Sequence, residues 1–234
     1  MASSTDALRA APTKLAGFID LNGYYDTRGG AVFTINLLAD LPRRVQYFSL
    51  TNFWGPLNGS NPVDVGSVYS EQHLRWRVFK NVPLGLAGQW AIRSEARNDL
   101  IRAGLRWYTA DTPGLDRVFD AINLSYALNF YPAQLDYIQG GGWRSQLEHA
   151  YRLKMLPKHL DRRIYVSGFL DHNLWAQAPD GAPVSRVVTE HQLGLRLFAG
   201  LHVVAEARYN QYLAEQTFGV ALGLQYLAPF KVLP

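Results

Sequence analysis

From Leu15 onward apolar and polar residues alternate with a period of two, which marks strands that keep one face in an apolar medium. Leu15, Gly17, Ile19, Leu21, Gly23 and Tyr25 share one face, and Asp20, Asn22, Tyr24 and Asp26 share the other. Arg28-Gly29-Gly30 turns the chain. Ala31, Phe33, Ile35, Leu37 and Ala39 then oppose Thr34, Asn36 and Asp40, and Pro42 ends that run. Between Arg44 and Trp54, hydropathy assigns Phe48 and Leu50 to the apolar face and Tyr47, Ser49 and Thr51 to the polar one. In the next run Val68, Leu74, Trp76 and Val78 oppose Tyr69, Glu71, His73, Arg75 and Arg77, although Ser70 and Gln72 interrupt the apolar side. The same rhythm recurs around Trp90, Leu105, Leu128, Leu147, Val166, Leu195, Val203 and Leu222.

These runs make about twelve strands of roughly ten residues, the length that a tilted strand needs to cross a bilayer. An even number of strands brings both chain ends to one side. Short connections at Leu41-Pro42-Arg43, Asn81-Val82-Pro83 and Ala199-Gly200 alternate with longer ones at 55–66, 132–142 and 176–185, while 109–117 and 157–162 read as medium-length turns. Short turns on one side and longer loops on the other are the outer-membrane pattern. Several aromatics on the apolar face, among them Trp76, Trp90, Trp107 and Tyr126, fall near strand ends, where aromatic girdles belong. The expected fold is all-β: a twelve-stranded antiparallel transmembrane β-barrel over residues 14–234, preceded by a flexible N-terminal tail over 1–13. A soluble closed barrel or two-layer β protein alternates too, and it is the competing architecture.

Composition narrows the function classes. The 234 residues include no Cys, which excludes a disulfide scaffold, a thiolate metal site and a Cys nucleophile. No apolar stretch approaches the ~18 residues of a transmembrane helix. The first thirteen residues lack a basic and then apolar leader, so the reading is either a cytosolic chain or one whose leader was replaced by a start Met. Net charge is +4, but the arginines are spread over most strands rather than gathered in one patch, so no nucleic-acid partner is expected. Gly140-Gly141-Gly142 lacks the Lys-Ser/Thr of a phosphate loop, no His-x-x-x-His pair indicates zinc, and no cofactor or metal is expected.

The polar faces carry the candidate chemistry. Tyr69, Glu71, His73, Arg75 and Arg77 project from one strand, and Arg93, Glu95, Arg102, Arg106 and Tyr108 join them from its neighbours. Asp171, Glu206 and Arg208 add charge from later strands. Arginine outnumbers lysine 18 to 5, which suits paired ladders and recognition of planar anions. Two readings stand side by side: a basic ladder that strips water stepwise from a passing solute, or an Arg–Glu network that fills a small barrel and stiffens it. Tyr24, Tyr47, Tyr165, Phe169 and Tyr212 read as inward rings on which sugars or bases stack. None of the six histidines has Ser two positions later, and Ser167 and His172 fall on opposite faces. No enzyme is therefore expected, and an outer-membrane lipid hydrolase is the alternative class.

The strand Val68-Tyr69-Ser70-Glu71-Gln72-His73-Leu74-Arg75 resembles a Tyr-x-Glu-x-x-x-Arg strand of the nucleoside-specific channel-forming (Tsx-like) outer-membrane family. Gly104-Leu105 followed by Pro113-Gly114-Leu115-Asp116 is similar to its Gly-Leu-Gly strand and Pro-Gly-Phe-Asp turn. Gly168-Phe169-Leu170-Asp171 is similar to its Gly-Phe-Ile-Asp strand, and Glu206-x-Arg208-Tyr209 stands where that family has Glu-x-x-x-Tyr. The resemblance implies a monomeric channel in the bacterial outer membrane, surrounded by lipid and lipopolysaccharide. It implies a narrow pore for small hydrophilic solutes, nucleosides by class. Twelve strands and an arginine-lined lumen are shared by the oligogalacturonate and sialic-acid channels, which makes an acidic-sugar anion channel the alternative.

Overall fold

In the computed structural model, twelve strands close on themselves. The structure describes residues 15–27, 30–55, 65–94, 99–136, 145–156, 163–177, 183–212 and 217–232; the expected tail over 1–13 and the candidate Glu95 lie outside them. The strands are β1 (Leu15–Asp26), β2 (Gly30–Leu41), β3 (Val45–Trp54), β4 (Ser67–Trp76), β5 (Leu84–Arg93) and β6 (Leu100–Trp107). A short helix, α1 (Leu115–Ala121), precedes β7 (Leu124–Asp136), β8 (Gln146–Met155), β9 (Ile164–Gln177), β10 (Pro183–Phe198), β11 (Leu201–Asn210) and β12 (Phe218–Val232). Each strand pairs antiparallel with its sequence neighbours, and β12 returns to β1 with Leu15 opposite Val232. Closure leaves no open sheet edge, which is the condition for a sheet to stand in hydrocarbon.

Burial is the reverse of a soluble sheet. Inward Asn22, Glu206 and Gln225 are buried, whereas outward Leu74, Ile101 and Leu222 are more than half exposed. An apolar outside around a polar inside is stable only where the outside meets acyl chains. One apolar cluster does sit inside: Tyr24, Val32, Val204 and Ala221, with Trp54 against them.

The connections differ in part from the alternation pattern. β7 runs on through Pro132 to Asp136, and β9 and β10 extend to Gln177 and from Pro183, so these two loops are shorter than expected. Pro132 is tolerated because the β6–β7 register shifts there: Ala103 pairs with Ala133 and Leu105 with Phe130, which sets Tyr131 and Pro132 against Gly104 alone. The bulge spares the ladder a missing N–H. The connection after β6, expected as a plain turn, contains α1, entered through Gly114 at φ 92°. It is tied to the barrel end by Trp107 Nε1 donating to Thr112 Oγ1 at 2.8 Å and by Thr109 Oγ1 donating to the Tyr126 carbonyl.

Hydropathy assigned β3 the wrong way round. Its register aligns Thr34, Asn52 and Tyr69, and Asn36, Leu50 and Glu71, so Gln46, Phe48, Leu50 and Asn52 face inward. Tyr47, Ser49 and Thr51 face outward, and Tyr47 does not line the pore. Both faces of this strand mix ring, hydroxyl and aliphatic groups, so its cross-strand partners decide the face. Phe48 is held inside by the His73 ring at 5.3 Å and by the Arg75 guanidinium at 5.4 Å. Outside, Tyr47 donates to Gln72, and the Thr51 and Ser70 hydroxyls pair at 2.8 Å.

Candidate functional site

The alternate residues of β4, β5 and β6 build one side of the lumen. Glu71 is its centre: Oε2 lies 3.0 Å from His73 Nε2 and accepts from Gln89 Nε2 at 3.0 Å, and the Tyr69 hydroxyl donates to the same carboxylate. Arg102 donates to Gln134 Oε1 at 2.9 Å and to Gln89 Oε1 at 2.6 Å. Arg75 donates to Gln46 Oε1 at 3.0 Å, and its other terminal nitrogen reaches across from β4 to Glu148 Oε1 on β8 at 3.9 Å. Arg106 donates to Asn129 Oδ1 at 3.1 Å, and Asn129 donates to Glu148 Oε1 at 2.6 Å. Arg93 lies over the Tyr69 ring at 5.2 Å. The fork of an arginine is fixed here by amides more often than by carboxylates, so the side chains are held without full neutralisation.

The opposite wall, from β8 round to β1, carries the acids. Glu190 and Glu206 hold Arg208 between them, with Arg208 Nε 2.9 Å from Glu190 Oε2 and Glu206 closer still. Asp20 accepts from Asn22 at 3.1 Å and from Gln225 at 2.9 Å. Gln192 donates to the Tyr24 hydroxyl at 2.6 Å and accepts from the Tyr165 hydroxyl at 2.7 Å, and Arg152 stacks on Tyr165 at 3.9 Å. Asp171 stands directly across from Glu148 in the β8–β9 register. The Tyr165 ring lies over Gly194, where a Cβ would come within 2.1 Å of it, so a glycine makes room for an inward ring.

Of the residues selected from sequence, Tyr24, Tyr69, Glu71, His73, Arg75, Arg93, Arg102, Arg106, Asp171, Glu206 and Arg208 share the lumen face. Arg77 lies just past β4 at the barrel end, where it pairs with Asp111 and lies over the Tyr108 ring at 5.6 Å. Burial pushes the Tyr108 hydroxyl above its usual range, against the pull of Arg106, Arg75 and Arg77. Tyr212 stands beyond the end of β11, under the Arg186 guanidinium at 4.9 Å. Sequence reasoning missed the amides that knit the network, Gln46, Gln89, Gln134, Gln192 and Gln225; their signal was the same polar parity, passed over in favour of charge. It also missed that His172 Nε2 contacts Ser185 Oγ on the outer wall, a pairing between adjacent strands that spacing along the chain conceals.

The two readings of the ladder meet at different levels. Around mid-height Asn129 and Tyr131 have no exposed surface and His73 and Gln89 have 2% each, so side chains fill that part of the lumen. Nearer the ends Arg93, on β5, and Arg77, just past β4, retain exposure. Among the described residues no group of three or more His, Asp or Glu is placed to hold a metal ion.

No family model matches the chain, and no curated protein matches it. Among solved structures the chain is similar to the KdgM porin, both by itself and in complex with disordered oligogalacturonate. In each case identity is 12%, the TM-score is 0.50, and the match covers 89% of this chain and 98% of the porin. A looser likeness links it to the outer membrane protein opdK from Pseudomonas aeruginosa, at 8–9% identity and a TM-score of 0.34 over 94% of this chain and 98–99% of that one. The fold is the one seen in the KdgM porin.

Proposed function

We propose that this barrel is an outer-membrane channel for small hydrophilic solutes, bordered by lipid and lipopolysaccharide and without an enzymatic activity of its own. The observation that carries the reading is the lumen: a closed barrel lined by polar side chains, with Arg75, Arg93, Arg102 and Arg106 on one wall facing Glu148, Asp171, Glu190 and Glu206 on the other. A narrow pore selects by lining charge, diameter and hydrogen-bond partners. Opposed charges of both signs orient a dipolar solute more than they concentrate an ion of one sign, and Tyr69, half-buried beside the Arg93 guanidinium, supplies an aromatic edge for a base or sugar. Nucleosides, uncharged and amphipathic, fit that description. Planar-bilayer recording with and without uridine and adenosine tests it: the expected result is conductance that nucleosides reduce by occupying the pore. A correctly folded barrel that conducts nothing overturns the channel, and conductance indifferent to nucleosides overturns the class.

The second reading is an acidic-sugar anion channel. It is supported by the arginine wall and by the fold shared with a porin solved in complex with oligogalacturonate. Strong anion selectivity, with block by galacturonate oligomers and none by nucleosides, is the result that favours it.

A further inference from the structure

Most of the outer wall is what acyl chains require. β5 and β6 present Leu84, Leu86, Trp90 and Leu105, and β12 presents Val220, Leu222 and Leu224, all exposed. Two sectors between these apolar stretches break the pattern. On β7–β10 the Tyr126 hydroxyl lies 2.6 Å from His149 Nδ1, and the Tyr151 hydroxyl lies 2.7 Å from His191 Nδ1, whose Nε2 is 2.7 Å from Thr189 Oγ1. Gly168 stands in register between Tyr151 and His191, so the two side chains meet over a position with no side chain. Ala205 and Ala207 on β11 continue the small positions beside them. The second sector, on β3–β4, holds Tyr47, Ser49, Thr51, Ser70 and Gln72, with Tyr47 donating to Gln72 and Gln72 to Ser70 at 2.7 Å.

Depth makes these sectors unusual. Along β8, His149 and Tyr151 have outward Leu147 above and Leu153 below; along β10, Thr189 and His191 lie between Val187 and Leu193. On β3 the polar residues lie between Val45 and Phe53, and on β4 between Val68 and Leu74. Both sectors therefore lie within the hydrocarbon band, where ionisable side chains are rare and expensive. Acyl chains offer such groups no partner, and the sugars and phosphates of a lipid do not reach this level. Small residues beside hydrogen-bonding ones are the composition of contacts between protein surfaces inside a bilayer. Within each sector these groups pair with one another, yet each hydroxyl can still accept a second bond, which an occupant bringing donors at the same depth supplies and acyl chains do not. A second copy of this chain, inserted in the same direction, brings the hydroxyls and amide of the β3–β4 sector to the level of the imidazoles of the β7–β10 sector.

We propose that the β3–β4 sector of one copy docks against the β7–β10 sector of the next. The sectors are two different surfaces of the barrel, so the contact is heterologous and leaves a further face on each copy for the next. This goes beyond the channel reading and replaces the isolated barrel that the family resemblance implies.

The chain has no Cys, so single thiols report contacts without background. Ser49→Cys and Ala207→Cys leave the histidines in place. Reconstituted together in phospholipid vesicles and oxidised, they are expected to form a cross-linked dimer that neither variant forms by itself. Equal cross-linking by either variant alone, or none in the mixture, overturns the pairing. A second measurement needs no cross-link. In lipid nanodiscs the wild-type mass is expected to exceed one barrel, and the His149→Leu/His191→Leu double variant is expected to return to one barrel, with heat-modifiable gel mobility verifying its fold. A wild-type protein that stays a single barrel, or a variant that still associates, overturns the proposal.

Discussion

Arg208 is the residue on which the acidic wall depends. It lies between Glu190 and Glu206, and the Glu206 side chain is 1% exposed. Removing one partner of such a cluster leaves carboxylates facing each other in a poorly solvated place. Arg208→Gln is therefore expected to destabilise the barrel by about 3–5 kcal/mol, read as an earlier midpoint in guanidinium unfolding from detergent micelles. Gly104 makes the opposite case, where adding an atom does the harm. A Cβ there would come within 1.9 Å of the Phe130 carbonyl oxygen, and backbone cannot rotate aside as a side chain does. Gly104→Ala should cost about 1–3 kcal/mol in the same titration, whereas alanine at Gly23, with no atom within 4 Å of its Cβ, should leave the midpoint nearly unchanged.

Among the elements, legibility in the sequence followed the contrast between faces. β4 was readable because Tyr69, Glu71, His73 and Arg75 alternate with mainly apolar positions, and the structure keeps that parity. β12 was readable for the same reason. β3 was not: Tyr47 and Phe48 differ by one hydroxyl in polarity, and the outward polar patch it shares with β4 inverts the usual sign. Parity in such a strand is set by neighbours that periodicity does not see. α1 escaped because seven residues give too little period to register, and the amide network escaped because Gln and Asn declare polarity without declaring a partner. The β3 orientation has a direct check. In the Cys-free background, Gln46→Cys, inward and close to the barrel end, should react with a membrane-impermeant maleimide, and Tyr47→Cys should react only with a lipid-soluble reagent. The reverse pattern would return β3 to the hydropathy assignment.

For the whole molecule, the distribution of charge matters more than its sum. The chain carries a net +4, which by itself points to anion preference. Inside, however, the arginines of β4–β6 face carboxylates on β8–β11, and much of each wall's field is cancelled at the other. Reversal potentials in a salt gradient should accordingly be small. Arg75→Ala combined with Arg102→Ala should move them toward cation selectivity, because two of the four arginines that offset the acidic wall are then gone; an unchanged potential would remove these two residues from the conduction path.

Among the described residues, the pairing of β1 with β12 is the one join between strands remote in sequence. Every other seam forms between consecutive strands and can grow by local zipping, at the modest loop-closure cost of neighbours. Until that last seam shuts, the sheet has two raw margins, each a template for a stranger's strand. That seam is the one step in assembly that zipping between neighbours does not supply. A lesion at Leu15–Asp26 or Phe218–Val232 should act less on how well the finished wall holds than on how many chains ever become one.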